Sequence, residues 1–195
     1  MGTINTYIVY HATDESNVAS IVKDNFIFHP KATHWLGDGV YFFLDKALAV
    51  SWGKNCPTKK YGSINKFAIV EAIVQVDSDF VCDMRKLDTF NEVKQAFEIF
   101  WKYNYKIPAT AKHDNAFFEK LECAFFNWLA KKRNLSCIVC NFEKRKIETV
   151  SNSMDNFFKG FNIIYVETQM CVKDSCCIKE RRLLGGGSNN ELQKN

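Results

Sequence analysis

The chain has 195 residues, 47% of them hydrophobic and 25% charged, with a formal net charge of +4 at neutral pH. A chain this long removes roughly 70% of its unfolded surface from water, so one core forms without disulfides or metal, and disorder over most of the length is excluded. No window approaches the ~20 apolar residues of a membrane helix, and no basic-then-apolar leader opens the chain, so a soluble cytoplasmic domain with no membrane partner is expected.

The segment Thr6-Tyr-Ile-Val-Tyr-His11 is β-branched and aromatic, hence a strand, and Asp14 is placed to cap a helix that turns Val18, Ile21 and Val22 inward. Residues 26 to 39 have loop composition. Gly39-Val-Tyr-Phe-Phe43 is then a short buried strand. Asp45 caps a helix over Lys46 to Trp52, with Ala47, Ala49 and Val50 small enough to pack against a sheet, and Lys66 to Val76 forms a long apolar strand.

Between Thr89 and Lys132 the apolar period becomes 3.6. Val93, Phe97, Phe100 and Trp101 mark one helix; Phe117, Phe118, Leu121, Phe125, Trp128 and Leu129 mark another, capped by Asp114. Strands return at Ser136 to Phe142 and Ile163 to Val172, and the Gly-rich stretch from Gly185 opens a tail, 185 to 195, expected to be flexible. The element order is α+β, and short strands among loops point to a split, two-sheet arrangement rather than a doubly wound parallel sheet. No Gly-rich phosphate loop follows a strand, which removes the dinucleotide-fold and P-loop readings.

Eight cysteines in a chain without an export signal are expected to be reduced and mostly buried. Cys137 and Cys140 form a C-x-x-C on a predicted strand, where i and i+3 face opposite ways, and the histidines at 11, 29, 34 and 113 show no zinc spacing, so no metal is expected. Residues 131 to 195 carry 12 Lys and Arg against 7 Asp and Glu, so the basic character belongs to the last third. Its clusters, Lys131-Lys132-Arg133, Lys144-Arg145-Lys146 and Lys179 with Arg181-Arg182, are either solvated surface or a face for phosphate or nucleic acid.

Three segments depart from pattern-filling, each placing a polar or aromatic side chain at the end of a strand. They are Tyr10-His11-Ala12-Thr13; Trp35-Leu-Gly37-Asp-Gly39-Val-Tyr41-Phe42 with Trp52 eleven residues beyond Tyr41; and Tyr165-Val-Glu167-Thr-Gln169-Met-Cys-Val172, where a carboxylate sits inside an apolar run. Singly, His11 could be a core histidine, Tyr41 a core aromatic and Glu167 an edge residue facing water.

In this combination and order they resemble the NAD-using ADP-ribosyltransferases of the diphtheria toxin and poly(ADP-ribose) polymerase type, with His, Tyr and Glu on three strands. Tyr10-His11-x-Thr13 looks like the toxin's first strand, Gly37-x-Gly39-Val-Tyr41-Phe42 resembles the polymerases' Gly-x-Gly-[Ile/Val]-Tyr-Phe, and Trp52 stands where the family carries a second nicotinamide-stacking ring.

The resemblance implies one ADP-ribosyltransferase-like domain over residues 1–184, with residues 89–132 as an inserted helical segment for target recognition or partner docking. His11, Tyr41 and Glu167 would be catalytic; His11, Ala12, Thr13, Gly39, Tyr41 and Trp52 would bind NAD, the substrate, without metal. Ala12 replaces the glycine that often follows the histidine, and Ala49 replaces a polymerase serine. The implied acceptor is RNA, DNA or protein, with nucleic acid slightly favoured by the basic last third. The compact form is similar to bacterial toxins and antiviral defence effectors, for which an antitoxin or inhibitor protein is a partner. Hydrolysis of NAD by the same site, and an inactive nucleic-acid or protein interaction module on the same scaffold, are the alternatives.

Overall fold

The computed structural model describes residues 2–55, 66–104, 115–143 and 166–188. Along the chain these form β1 (Ile4–Asp14), a 3-10 turn (Glu15–Asn17), α1 (Val18–Asp24), β2 (Val40–Phe43), α2 (Lys46–Asn55), β3 (Lys66–Asp77), β4 (Val81–Asp83), α3 (Leu87–Asn104), α4 (Asn115–Arg133), β5 (Cys137–Glu143), β6 (Val166–Val172) and β7 (Ile178–Ser188). The architecture is mixed α+β. The predicted cap Asp114 and the start of the last predicted strand, residues 163–165, lie outside the described residues, as do the cluster at 144–146 and residues 189–195.

The strands make one seven-stranded sheet in the order β4-β5-β6-β2-β1-β3-β7. All neighbours are antiparallel except β4 and β5. A single sheet thus stands in place of the two expected. β1 pairs with β3 along its whole length, from Ile4 opposite Asp77 to Asp14 opposite Phe67, but joins β2 through the single pair Tyr10 and Phe43. The two halves are one sheet by a narrow seam, and the strands fork on either side of it.

Local chemistry sets the element ends. The Asp14 carboxylate accepts from the Ser16 N–H at 2.9 Å, capping the 3-10 turn that leads into α1, and the Asp45 carboxylate accepts from the Ala47 N–H at 2.7 Å at the start of α2. α1 stops at Asn25, whose φ of 92° turns the chain while its N–H reaches the Ile21 carbonyl. Of the residues expected to turn inward, Ile21 is buried but Val22 and Ala47 are exposed. α2 buries Ala49 as expected, with Leu48 and Gly53 beside it, and it lies so close to β3 that a Cβ on Gly53 would fall 2.5 Å from the Phe67 ring.

One face of the sheet carries Val9, Phe42, Val70, Val74, Val139 and Met170. The other carries Ile138 and Cys171 under α3 and α4, with Val93, Phe100, Leu121, Phe125 and Leu129 from the helices packed on them. The helical segment thus packs directly on the sheet and shares its core. A buried phenylalanine such as Phe125 contributes about 1.5–3 kcal/mol by area alone. Cys137 belongs to the first face and Cys140 to the second, as strand geometry requires. Burial pushes the Cys82, Cys140 and Cys171 thiols up to about 11, so they stay protonated at neutral pH.

β7 is the largest departure from expectation. Gly185 to Ser188 extends a strand paired with β3, with Gly186 opposite Ala68 and Gly187 opposite Phe67, so the flexible tail does not begin at 185. Glycine serves here because a Cβ on Gly187 would meet the Phe67 ring at 3.1 Å.

A candidate active site in the fork between two strands

Where β1 and β2 part, the His11 side chain fills the gap: its Nδ1 donates to the main-chain carbonyl of Tyr41 across 2.7 Å. The imidazole packs edge-on against Phe26 at 5.1 Å and Phe42 at 5.9 Å. Burial holds the His11 pKa below its ordinary value, outweighing the upward pull of the carbonyl bond, so the ring is neutral at pH 7 with its hydrogen on Nδ1. That tautomer leaves Nε2 as a lone-pair acceptor.

The fork opens into a cleft of about 550 Å³. His11, Ala12, Thr13, Gly39, Tyr41 and Trp52 all line it, so six residues from three elements of the expected site share one cavity. Ala12 keeps a negative φ, as only Asn25 and Asn134 among the described non-glycine residues have a positive one. Thr13 is buried and its hydroxyl accepts from Asn17 Nδ2 at 3.3 Å.

Tyr41 is fixed at both ends. Its ring meets Trp35 at 5.4 Å and His34 at 5.5 Å; its hydroxyl accepts from the Leu36 N–H and donates to the Gly37 carbonyl, both at 2.8 Å. Burial keeps the phenol protonated far above the physiological range. The turn that carries these carbonyls needs its glycines: Gly37 has φ of 74° and Gly39 of 152°, and a Cβ on Gly39 would lie 2.6 Å from both Cys171 Sγ and the Val172 carbonyl oxygen.

The acidic residue sits differently from the aromatic ones. On β6, Glu167 and Gln169 share a face, and it is Gln169 that lines the cleft. Gln169 Nε2 donates to Glu167 Oε1 at 2.6 Å while its Oε1 accepts from the Trp35 indole N–H at 3.1 Å. Glu167 is half-buried behind Gln169, in a relay of Trp35, Gln169 and Glu167.

Residues that the sequence did not mark hold the loop before β2 in place. Asp38 N–H donates to Asn127 Oδ1 at 2.7 Å and Asp38 Oδ2 accepts from Asn127 Nδ2 at 3.0 Å, tying the loop to α4. Lys173 Nζ donates to the Leu36 carbonyl at 2.5 Å, and burial lowers its pKa. Of the basic clusters, Lys131, Lys132 and Arg133 close α4, and Arg133 and Arg182 pair with Glu92 at 3.0 Å and Glu71 at 2.5 Å. Among the described residues no group of three potential ligands converges for a metal, and no helix is long and apolar enough to cross a membrane.

No known family profile matches the chain. An uncharacterized protein of Methanocaldococcus jannaschii is similar, 28% identical over 95 residues, a span covering 48% of this chain and 42% of that protein. The chain therefore covers less than half of this relative's length.

Proposed function

We propose that the chain is an ADP-ribosyltransferase that takes ADP-ribose from NAD, its substrate, and passes it to a macromolecular acceptor. The single observation that carries this reading is that His11, Tyr41 and Trp52 line one cleft at the strand fork, with Gln169 on the same wall hydrogen-bonded to Glu167. The cleft is within the roughly 300–1,000 Å³ of a small-molecule site, and its walls mix aromatic rings such as Phe26, Trp35 and Trp52 with polar side chains such as Asn17, Thr33 and Gln169.

Each residue has a task that follows from its environment. Cleavage between nicotinamide and ribose passes through an oxocarbenium-like state, which calls for a held leaving ring, a fixed ribose and nearby negative charge. Tyr41 and Trp52 offer aromatic surface for the ring, and Tyr41 cannot swing away because its hydroxyl is bonded twice. His11 Nε2, left as acceptor by the Tyr41 carbonyl, takes a ribose hydroxyl on the adenosine side. Glu167, oriented by Gln169, supplies the charge that stabilises the developing cation. Nicotinamide leaves as a neutral molecule from a cationic bond, so one carboxylate suffices.

The basic last third tilts the acceptor towards nucleic acid, although Arg133 and Arg182 already have carboxylate partners. Incubation with labelled NAD and separate pools of RNA, DNA and protein tests the reading. Label transferred to one pool is expected, and transfer to nucleic acid should fall steeply with salt, by about 0.7–0.9 in log slope for each phosphate neutralised. Nicotinamide release without transfer indicates a hydrolase. Neither release nor NAD binding overturns the enzymatic reading and leaves an interaction module.

A further inference from the structure

The loop between α1 and β2 holds a histidine–carboxylate pair for which packing gives no reason. His34 Nδ1 lies 3.7 Å from Asp38 Oδ1, and both atoms are buried without a hydrogen-bond partner. Leaving a buried donor and a buried acceptor unmade is costly, and here the two face one another just beyond bonding distance. Both main chains are held, and Asp38 by its other oxygen as well, so rotation of the His34 side chain is the movement left to close the gap. Asp38 is clamped to Asn127 by its N–H and its other carboxylate oxygen. The His34 main chain bonds both ways, its N–H to the Lys31 carbonyl and its carbonyl from the Gly37 N–H.

His34 also belongs to the cleft wall, with its ring 5.5 Å from that of Tyr41 and its side chain 23% exposed. Since the Nδ1 edge is buried against Asp38, the open part of the ring is the edge that carries Nε2. An acceptor nucleophile needs a base within reach of the cleft. His11 has its Nδ1 committed to Tyr41 and, on the reading above, its Nε2 engaged by a ribose hydroxyl; Glu167 is not on the cleft wall, where Gln169 stands, and the Tyr41 hydroxyl is bonded at both sides.

We propose that His34 is the general base of the transfer, with Asp38 as its positioning residue. This rests on the ADP-ribosyltransferase reading. A small closing movement puts the Nδ1 hydrogen on Asp38 Oδ1, fixing the tautomer and leaving Nε2 to receive a proton. In the step, the bond between nicotinamide nitrogen and ribose carbon breaks with its electron pair going to nicotinamide. The acceptor oxygen forms a bond to that carbon, and its proton passes to His34 Nε2. The imidazolium so made is held by Asp38 and returns its proton to solvent.

The charged and titratable groups around His34 are Asp38, Lys31, Lys173, the Tyr41 phenol and, from α4, the Cys123 thiol, which burial holds above its ordinary pKa. Burial lowers the His34 pKa below its ordinary value; Asp38 pulls it up, and Lys31 and Lys173 pull it further down. The ring is therefore neutral, and competent as a base, at pH 7.

The test measures nicotinamide release by the full chain between pH 5 and 8, with NAD and with water or the modified pool as acceptor, for the wild type, His34→Gln, His34→Ala and Asp38→Asn. The wild-type rate should rise with pH through one ionisation below 6.5 and then level. His34→Gln should lose ~10² or more in kcat with KM within a few fold, and lose that rise. Added imidazole should restore part of the His34→Ala rate. Asp38→Asn should shift the rise to lower pH and lower the plateau, a response that a loop-bracing role alone would not give. A wild type that turns over NAD beside a folded His34→Gln with the same rate and pH profile overturns the His34 role and leaves the transferase reading standing. A wild type that neither binds NAD, read by tryptophan fluorescence, nor releases nicotinamide overturns both.

Discussion

His11 and Tyr41, thirty residues apart in sequence, are joined by a 2.7 Å hydrogen bond from the imidazole Nδ1 to a main-chain carbonyl. The bond does two things at once. It closes the fork where β1 leaves β2, and it chooses the tautomer that leaves Nε2 without a hydrogen.

The first prediction concerns acid stability. The folded-state pKa of His11 is depressed, so the unfolded chain takes up a proton near pH 6.5 while the folded chain still refuses it. The stabilising contribution is complete above pH 6.5 and is lost as pH falls below it. His34, depressed in the same sense, adds to the slope. The urea midpoint of the wild type should fall between pH 7 and 5, and His11→Asn should flatten that dependence. An identical slope in the variant would show that His11 titrates freely.

The second concerns Glu167. Glu167→Gln should preserve the fold and leave NAD affinity within a few fold while lowering turnover by ~10² or more, because the lost charge acts mainly in the transition state. Gln169→Ala should weaken turnover less, by freeing the carboxylate from its 2.6 Å tie. If Gln169→Ala proves the more damaging of the two in single-turnover assays, the residue on the cleft wall is the working one.

The third separates the ring of Tyr41 from its hydroxyl. Trp52→Ala should weaken NAD binding by ~1–3 kcal/mol through lost burial and stacking. Tyr41→Phe keeps the ring but strands the Leu36 N–H and the Gly37 carbonyl, so it should cost about 1–3 kcal/mol of stability and change NAD affinity little. Isothermal titration and thermal melts on the two variants distinguish these outcomes. Unchanged binding by a folded Trp52→Ala would make that indole core filling.

The fourth compares two glycines. Gly39→Ala meets both an unfavourable φ and solid neighbours at 2.6 Å, whereas Gly185→Ala meets an unfavourable φ with nothing within 4 Å of the new methyl. Gly185→Ala should cost about 1 kcal/mol and Gly39→Ala several, a difference of roughly 4 °C or more in Tm for a chain of this size. Equal losses would mean that backbone strain alone governs both positions.

Much of this was legible in the residues themselves. The β-branched run at Thr6–His11, the apolar run at Lys66–Val76 and the 3.6 period of Val93, Phe100, Phe125 and Leu129 placed β1, β3, α3 and α4, because periodicity reports which face of an element is apolar. Asp14 and Asp45 marked element starts because a carboxylate that satisfies free N–H groups acts within a few residues. What covers an apolar face is a different matter, settled only when distant segments meet. β7 has no local strand signature, because its charged residues Lys179 to Arg182 and its three glycines are poor strand formers, and it is a strand because β3 offers an edge, with Phe67 crowding Gly186 and Gly187. The narrow seam at Tyr10 and Phe43, which makes the fork, has no signature in either segment. The clamp of Asn127 on Asp38 spans 89 residues, and the bond from the Trp35 indole to Gln169 spans 134. Contacts of that range depend on the register of strands far apart in the chain, so they belong to the tertiary structure and not to any local pattern.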